Sequence, residues 1–260
     1  METMGQRFDG RVAWITGAGH GIGAAAARRI AAEGGRVGVL ALHEDSARAV
    51  AAECERLGVA AIAMWGDAAD PAVLHAAHAA IDAALGPVDV LVNNVAIALP
   101  SRLEESTEDH WDRVHGVNFR SVVRCARLVI PGMRAQGRGV IVNISSNHGT
   151  RGFPTWGAYA SAKGALMALT RQQAVELAPD GIRVVSVTPG ATLTEMNARR
   201  FAEALDADAL RAEFVAGIPM GRLATAEEIA NAIAFVASDE ASFMTGADLL
   251  MDGGESIQGG

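Results

Sequence analysis

The chain is poor in sulfur, in aromatic rings and in positive charge, and each shortage removes a class of function. Only two cysteines occur, Cys54 and Cys125, far apart and without metal-ligand spacing. Neither a disulfide framework nor a zinc site is indicated, and a reducing, cytoplasmic setting is expected. Lys and Arg number 22 against 30 Asp and Glu, a net charge of -8 at pH 7, with no basic cluster. Nucleic acid and anionic membranes are therefore poor partners. No apolar run approaches the ~20 residues that span a bilayer, and Met1 to Arg11 is polar and charged, without the apolar core of a signal peptide. His75 and His78 share a helix face but have no cysteine nearby, so no metal is expected. Linkers, repeats and low-complexity segments are also missing, so residues 1–260 read as one domain.

What the chain does have is half hydrophobic residues and a regular alternation. Short Val/Ile/Leu-rich runs, the mark of strands covered on both faces, occur at Val12–Ile15, Arg36–Leu40, Ala60–Met64, Val88–Val92, Val140–Ile144, Arg183–Val187 and Ala247–Met251. Between them, helical spacing runs through Gly21–Glu33, Glu44–Leu57, Ala72–Leu85, Asn118–Ala135, Ala158–Leu177 and Ala226–Ala237. The pattern predicts an α/β fold: one Rossmann-like, doubly wound domain with a seven-stranded, mostly parallel sheet and helices on both faces. Ala96–Trp111 and Ala191–Pro219 fit neither pattern cleanly. Both follow strand ends, where open α/β sheets bind ligands, and the region of about 191–219 reads as a substrate loop.

The first strand runs into Thr16-Gly17-Ala18-Gly19-His20-Gly21-Ile22-Gly23 and then an Ala-rich helix. Glycines let backbone approach a pyrophosphate, and the helix start offers free N–H groups to the anion. Strand–turn–helix context makes this a dinucleotide-binding turn rather than a merely structural one. Such sites usually carry a carboxylate at the tip of the second strand, for the ribose 2′-hydroxyl. Here the strand ends Leu40-Ala41-Leu42-His43, with neither a carboxylate nor Arg or Lys at the tip. His20 and His43 are either weak contacts to a 2′-phosphate or plain solvent-exposed histidines, so the choice between NAD and NADP stays open.

Tyr159 is the one tyrosine, and Lys163 lies four residues on, on the same helix face. A phenol ordinarily ionises near pH 10, and a neighbouring ammonium favours phenolate. The pair suits giving a proton to a carbonyl oxygen or taking one from an alcohol. Ser146, just past the Val140–Ile144 run, could hydrogen-bond the same oxygen. Asn118 reads as the start of a helix, where Asn is a common cap.

Taken together, these residues resemble the short-chain dehydrogenase/reductase family over nearly the whole chain. The matching pieces are Thr16–Gly23, Asp67, Asn93-Asn94-Val95-Ala96, Asn118, Ser146, Tyr159-x-x-x-Lys163, Pro189-Gly190 with Thr194, and Thr245-Gly246 with Asp252-Gly253-Gly254. The resemblance implies Tyr159 as acid/base, with Lys163 holding the nicotinamide ribose and lowering the tyrosine pKa. Ser146 would orient the reacting oxygen, and Asn118 would support a water-linked proton path to Lys163. Gly17, Gly19, His20, Gly21, Ile22, Gly23, Leu42 and Asn94 would line the dinucleotide. Asp67 and Ala68 would meet the adenine, Asn93 would lie near the adenosine ribose, and Pro189, Gly190, Thr192 and Thr194 would meet the nicotinamide end. Val95 and Ala96 stand where the family has Ala-Gly, and their bulk is expected to narrow the floor of the site. A homo-oligomer, dimer or tetramer, is also implied.

Ser146, His148, Phe153, Trp156 and Met196 are the candidate substrate residues, in a partly apolar pocket. The expected function is interconversion of a small-molecule ketone and secondary alcohol, the substrate being a 3-oxoacyl thioester, a sugar or polyol, or a small cyclic ketone. The alternative is a catalytically silent dinucleotide sensor or scaffold, against which the full Ser146, Tyr159 and Lys163 set argues. Enoyl reduction is disfavoured, since such reductases of related type usually space Tyr and Lys more widely.

Overall fold

A computed structural model of the protein describes residues 6–257, apart from the side chains of Met196, Arg199, Arg200 and Glu203. The first strand, β1 (Val12–Thr16), is buried at every residue, which its unbroken apolar run requires. On one side it pairs with β2 (Arg36–Ala41), which pairs with β3 (Ala61–Trp65). On the other lie β4 (Val90–Asn93), β5 (Gly139–Ile144) and β6 (Ile182–Pro189). A two-residue pair, β7 (Thr192–Leu193) with β8 (Ala224–Thr225), stands apart, and β9 (Asp248–Met251) closes the main sheet beside β6. The order is β3-β2-β1-β4-β5-β6-β9 and every pairing is parallel, so the sheet is wholly rather than mostly parallel. The order reverses between β1 and β4, and that switch opens a crevice at the strand C-termini.

Helices cover both faces. On one, α1 (Gly21–Ala32) and α2 (Glu44–Arg56) join α9 (Ala226–Ala237) around Ala24, Ala27, Ile30, Ile229 and Ile233. Small alanines let α1 and α9 approach closely. On the other face, α3 (Pro71–Ala84), α5 (Ser121–Gln136) and α6 (Gly157–Leu177) pack around Trp14, Leu74, Ile81, Leu91 and Met133. Thr225 and Glu228 form a reciprocal capping box that starts α9 where the sequence places it.

Three further helices lie in the two irregular segments: α4 (Glu108–His115), α7 (Glu195–Glu203) and α8 (Ala207–Ala216). Thr107 caps α4, its Oγ1 accepting from His110 N at 3.2 Å. The helix then continues through a π turn, Gly116–Arg120, into α5. Asn118 therefore does not begin a helix. It sits in the π turn, whose extra residue re-aims its side chain inward.

Cys54 and Cys125 are free and buried. Burial pushes their thiols up to about 11 and about 12. Among the described residues no helix is long and apolar enough to cross a membrane.

Candidate active site

The strand C-termini open into one cleft of about 730 Å³, with the glycine turn at one end and Ser146, Tyr159 and Lys163 at the other. At the turn, Gly17 has φ +64, and a Cβ there would stand 2.7 Å from Val95 Cα, so only glycine fits. Asn94 holds the turn from beneath, its Nδ2 donating to Thr16 O (3.2 Å) and Gly17 O (2.9 Å). Thr16 Oγ1 accepts in return from Asn94 N at 3.1 Å. Gly19, His20, Gly21, Ile22 and Asn94 line the cleft, and Gly23 does not. A Cβ on Gly23 would lie 2.5 Å from both Asn94 Nδ2 and Gly17 O, so this glycine serves packing beneath the turn. His20, at the N-cap of α1, makes no side-chain capping bond. The dipole and first-turn N–H groups of α1 thus favour an anion there. Val95 and Ala96 line the cleft rather than close it, so the anticipated narrowing leaves room for a ligand.

Leu42, Asp67 and Ala68 form the far wall, joined by His43, Ser46 and Arg113. Asp67 Oδ1 accepts from Ala69 N at 2.9 Å, and Oδ2 pairs with Arg113 Nη1 at 2.5 Å. Ser46 Oγ lies 2.6 Å from where a Cβ on Gly19 would be, so α2 leans on the turn. Asn93 points away into the sheet, its Nδ2 donating to Asn143 Oδ1 on β5 at 2.9 Å.

At the other end, Ser145 and Ser146 leave β5 and meet α6. Ser145 Oγ donates to Lys163 O at 3.1 Å, fixing the helix against the strand end. Lys163 is 2% exposed, and its Nζ donates to Ile144 O at 2.7 Å. Burial brings its pKa down to about 8. One turn earlier, Tyr159 holds its ring 5.7 Å from that Nζ. Burial raises the phenol above its usual 10, and hydrogen bonding with Ser146 works against the rise. The lowering expected from the ammonium does not emerge: desolvation sets the direction, and Ser146 alone opposes it.

Asn118 is buried and does not line the cleft. Its Oδ1 accepts from Ile97 N (2.8 Å) and its Nδ2 donates to Ile97 O (2.9 Å). It fixes Ile97, which with Ala98, Leu99 and Pro100 gives the cleft an apolar stretch of lining. Trp156 lines the same end, whereas His148 and Phe153 do not. They stack on each other behind Trp156 with ring centroids 4.0 Å apart. His148 meets Trp156 and Tyr159 edge-on at 4.8 and 5.4 Å, so it buttresses the wall from behind. The Met196 side chain lies outside the described residues. Pro189, Gly190, Thr192 and Thr194 line the cleft, with Thr194 capping α7 through Asn197 N at 3.4 Å. Thr192 O accepts from Asn197 Nδ2 at 2.8 Å.

Sequence reasoning missed Ser46, Arg113, Ser145 and Asn197 as lining residues. Each comes from a different element, and no spacing along the chain connects them.

A family model described as enoyl-(acyl carrier protein) reductase matches residues 17–256. The chain is 38% identical over 247 residues to 3-oxoacyl-[acyl-carrier-protein] reductase of Escherichia coli (strain K12), across 95% of this chain and 98% of that protein. It is 41% identical over 257 residues to cis-4-hydroxycyclohexanecarboxylate dehydrogenase of Sinomonas cyclohexanicum, across 96% and 98%. A short-chain type dehydrogenase/reductase from Mycobacterium marinum, solved by crystallography, superimposes with a TM-score of 0.89 at 31% identity, covering 96% of this chain and 97% of that one.

Proposed function

The chain belongs to the short-chain dehydrogenase/reductase family and is an oxidoreductase acting on a CH–OH/C=O pair with a nicotinamide dinucleotide; from that premise we propose that Tyr159 is its acid/base and that its substrate is a small, largely apolar ketone or the matching secondary alcohol. The observation that carries this reading is the convergence of Ser146, Tyr159 and Lys163 on the same cleft as the glycine turn.

The residues present fit the dinucleotide. Gly17 leaves room where any side chain would strike Val95, and the uncapped start of α1 suits a diphosphate. When bound, the dinucleotide supplies or accepts the hydride at the substrate carbon. In reduction, Tyr159 gives its phenolic proton to the carbonyl oxygen, and in oxidation its oxygen takes the hydroxyl proton back. Ser146 hydrogen-bonds the same oxygen and holds it toward the phenol. Because burial favours the protonated phenol, Tyr159 is set up as an acid. The charge of Lys163, buried beneath it, stabilises the phenolate left after proton transfer.

The far end of the cleft bears on cofactor choice. Leu42, His43 and Ser46 stand there without a carboxylate at the β2 tip, and Asp67 in the same wall is paired with Arg113, which lessens the repulsion a 2′-phosphate would meet. We expect NADP⁺ to bind at least as well as NAD⁺. The substrate end is carbon-rich, with Ile97, Leu99, Pro100 and Trp156 around two hydroxyls. That supports a cyclic or short apolar ketone over a polyol, and the Sinomonas relative carries a cyclic alcohol in its name. We also propose a homo-oligomer. β9 is an edge strand with Leu250 part-exposed, and Phe243, five residues before the strand in the chain, is fully exposed, apolar surface of the kind that subunits cover.

The test is turnover of a carbonyl panel with NADH and NADPH, followed at the reduced-nicotinamide absorbance. Failure to turn over any ketone, together with no dinucleotide-induced rise in Tm, overturns the reading. Dinucleotide binding with no turnover, unchanged by Tyr159→Phe, would make the protein a silent sensor.

A further inference from the structure

The turn that follows β9 reaches back to the loop carrying Ser146. Asp252 tightens this turn by accepting from Gly254 N (3.0 Å) and Ser256 N (2.7 Å). It is anchored against the end of β6, where a Cβ on Gly190 would stand 2.7 Å from Asp252 Cβ. The turn thereby presents Glu255, whose side chain is only 14% exposed. Glu255 Oε2 accepts from Asn147 Nδ2 at 2.9 Å. Its other oxygen pairs with Arg151 at 3.1 Å, and Arg151 also donates to Glu255 O at 3.0 Å. Asn147 and Arg151 both belong to the loop that begins with Ser146, so one acidic residue ties that loop at two points.

The chemistry of these groups gives the tie a direction. An ionised carboxylate only accepts hydrogen bonds, so the Asn147 amide must turn its NH₂ toward Glu255 and its oxygen the other way. That oxygen faces Ser146, whose Oγ donates to it at 3.3 Å while accepting from His148 N at 3.3 Å. Ser146 has one hydroxyl hydrogen. While Asn147 competes for it, less of it is available to the Tyr159 oxygen.

We infer that Glu255 is a positioning residue: through Asn147 it sets the direction in which the Ser146 hydroxyl points, and so how far that hydroxyl can stabilise an anion at Tyr159. The inference rests on the reading of Ser146 and Tyr159 as the reacting pair. Without the carboxylate, the amide is free to turn and donate to Ser146, releasing the serine hydrogen to the phenol oxygen. The other charged or titratable groups facing these residues are Arg151 and Asp252 around Glu255, and His148 and Lys163 around Tyr159.

The chain contains one tyrosine, so protein labelled with carbon-13 at the tyrosine ζ position gives a single NMR resonance that reports Tyr159 alone. The experiment needs no turnover and is independent of whether a substrate has been found. It compares ligand-free wild type, Glu255→Gln, Glu255→Asp and Asn147→Ala across a pH titration, with far-UV circular dichroism marking the range in which each stays folded. Asp keeps the charge but withdraws it from Asn147. All three variants should lower the phenol midpoint by about half to one pH unit, a three- to ten-fold rise in ionisation constant, as for one hydrogen bond gained by the anion. If the phenol stays neutral throughout the folded range, the neutral-state chemical shift should move in the same direction in all three. The inference is overturned if Glu255→Asp matches wild type while Glu255→Gln alone shifts, which would mean a simple field effect. It is also overturned if only Asn147→Ala shifts, or if none does. Should Glu255→Gln not fold, Glu255→Asp and Asn147→Ala carry the same comparison.

Discussion

Replacing Lys163 with Met separates what the ammonium does for proton transfer from what it does to the fold. Lys163 is 2% exposed, donates to Ile144 O at 2.7 Å, and has its pKa brought by burial from 10.5 to about 8. The difference between the unfolded and folded values is therefore about 2.5 units, which at 1.36 kcal/mol per unit is about 3 kcal/mol of stability forgone while the lysine is charged. Met fills a similar shape without the charge, but leaves the Ile144 carbonyl without its donor, a loss of about 1 kcal/mol. The net expectation is a variant about 2 kcal/mol more stable near neutrality, or roughly 4–8 °C in Tm for a chain of this size.

The pH dependence gives the sharper check. Below the folded value of about 8, both states hold the proton and the full penalty applies. Between that value and 10.5 the unfolded chain binds more protons than the folded one, so wild-type stability rises with pH relative to the variant. Urea unfolding of both ligand-free proteins from about pH 7 to about pH 10 should show the gap closing. A variant less stable than wild type near neutrality, or a gap that stays flat with pH, would refute the idea that desolvation dominates at this lysine. Turnover should be lost in either case.

Tyr159→Phe should reduce turnover by roughly 10²–10⁴-fold while leaving the dinucleotide-induced rise in Tm intact; retained turnover would remove Tyr159 from the chemistry. Gly17→Ala combines a side chain at φ +64 with a contact 2.7 Å from Val95 Cα, so a stability loss of about 1–3 kcal/mol and weaker dinucleotide binding are expected. Unchanged urea midpoints and thermal shifts would count against the close approach. Asn118→Ala leaves both Ile97 backbone groups without partners, which should cost about 1–3 kcal/mol and speed amide exchange across residues 95–100. Unaltered exchange there would mean the segment is held by something else.

The sheet was legible because parallel, doubly covered strands are apolar at nearly every position. All seven runs read from the sequence fall within two residues of an observed strand at each end. The helices packed on the sheet were equally plain. Those missed, α4, α7 and α8, bury little against the core, so periodicity carried no strong signal. Asn118 misled because a π turn keeps the helix running where Asn ordinarily starts one. His148 and Phe153 sit in the right loop, yet their mutual stacking takes them behind Trp156. Glu255 gave no signal at all, because its tie to Asn147 spans 108 positions and exists only once β9 has docked beside β6.

The two native thiols, sequestered in separate core clusters, leave the molecule without a reactive sulfur of its own. Their ionisation near pH 11 and 12 keeps them in the unreactive form under ordinary labelling conditions. A cysteine introduced at fully exposed Leu205, between α7 and α8, would be the sole handle for a maleimide dye. Fluorescence from that one site could then follow the segment beyond β6 during ligand binding, with no background to subtract and no native residue to remove first.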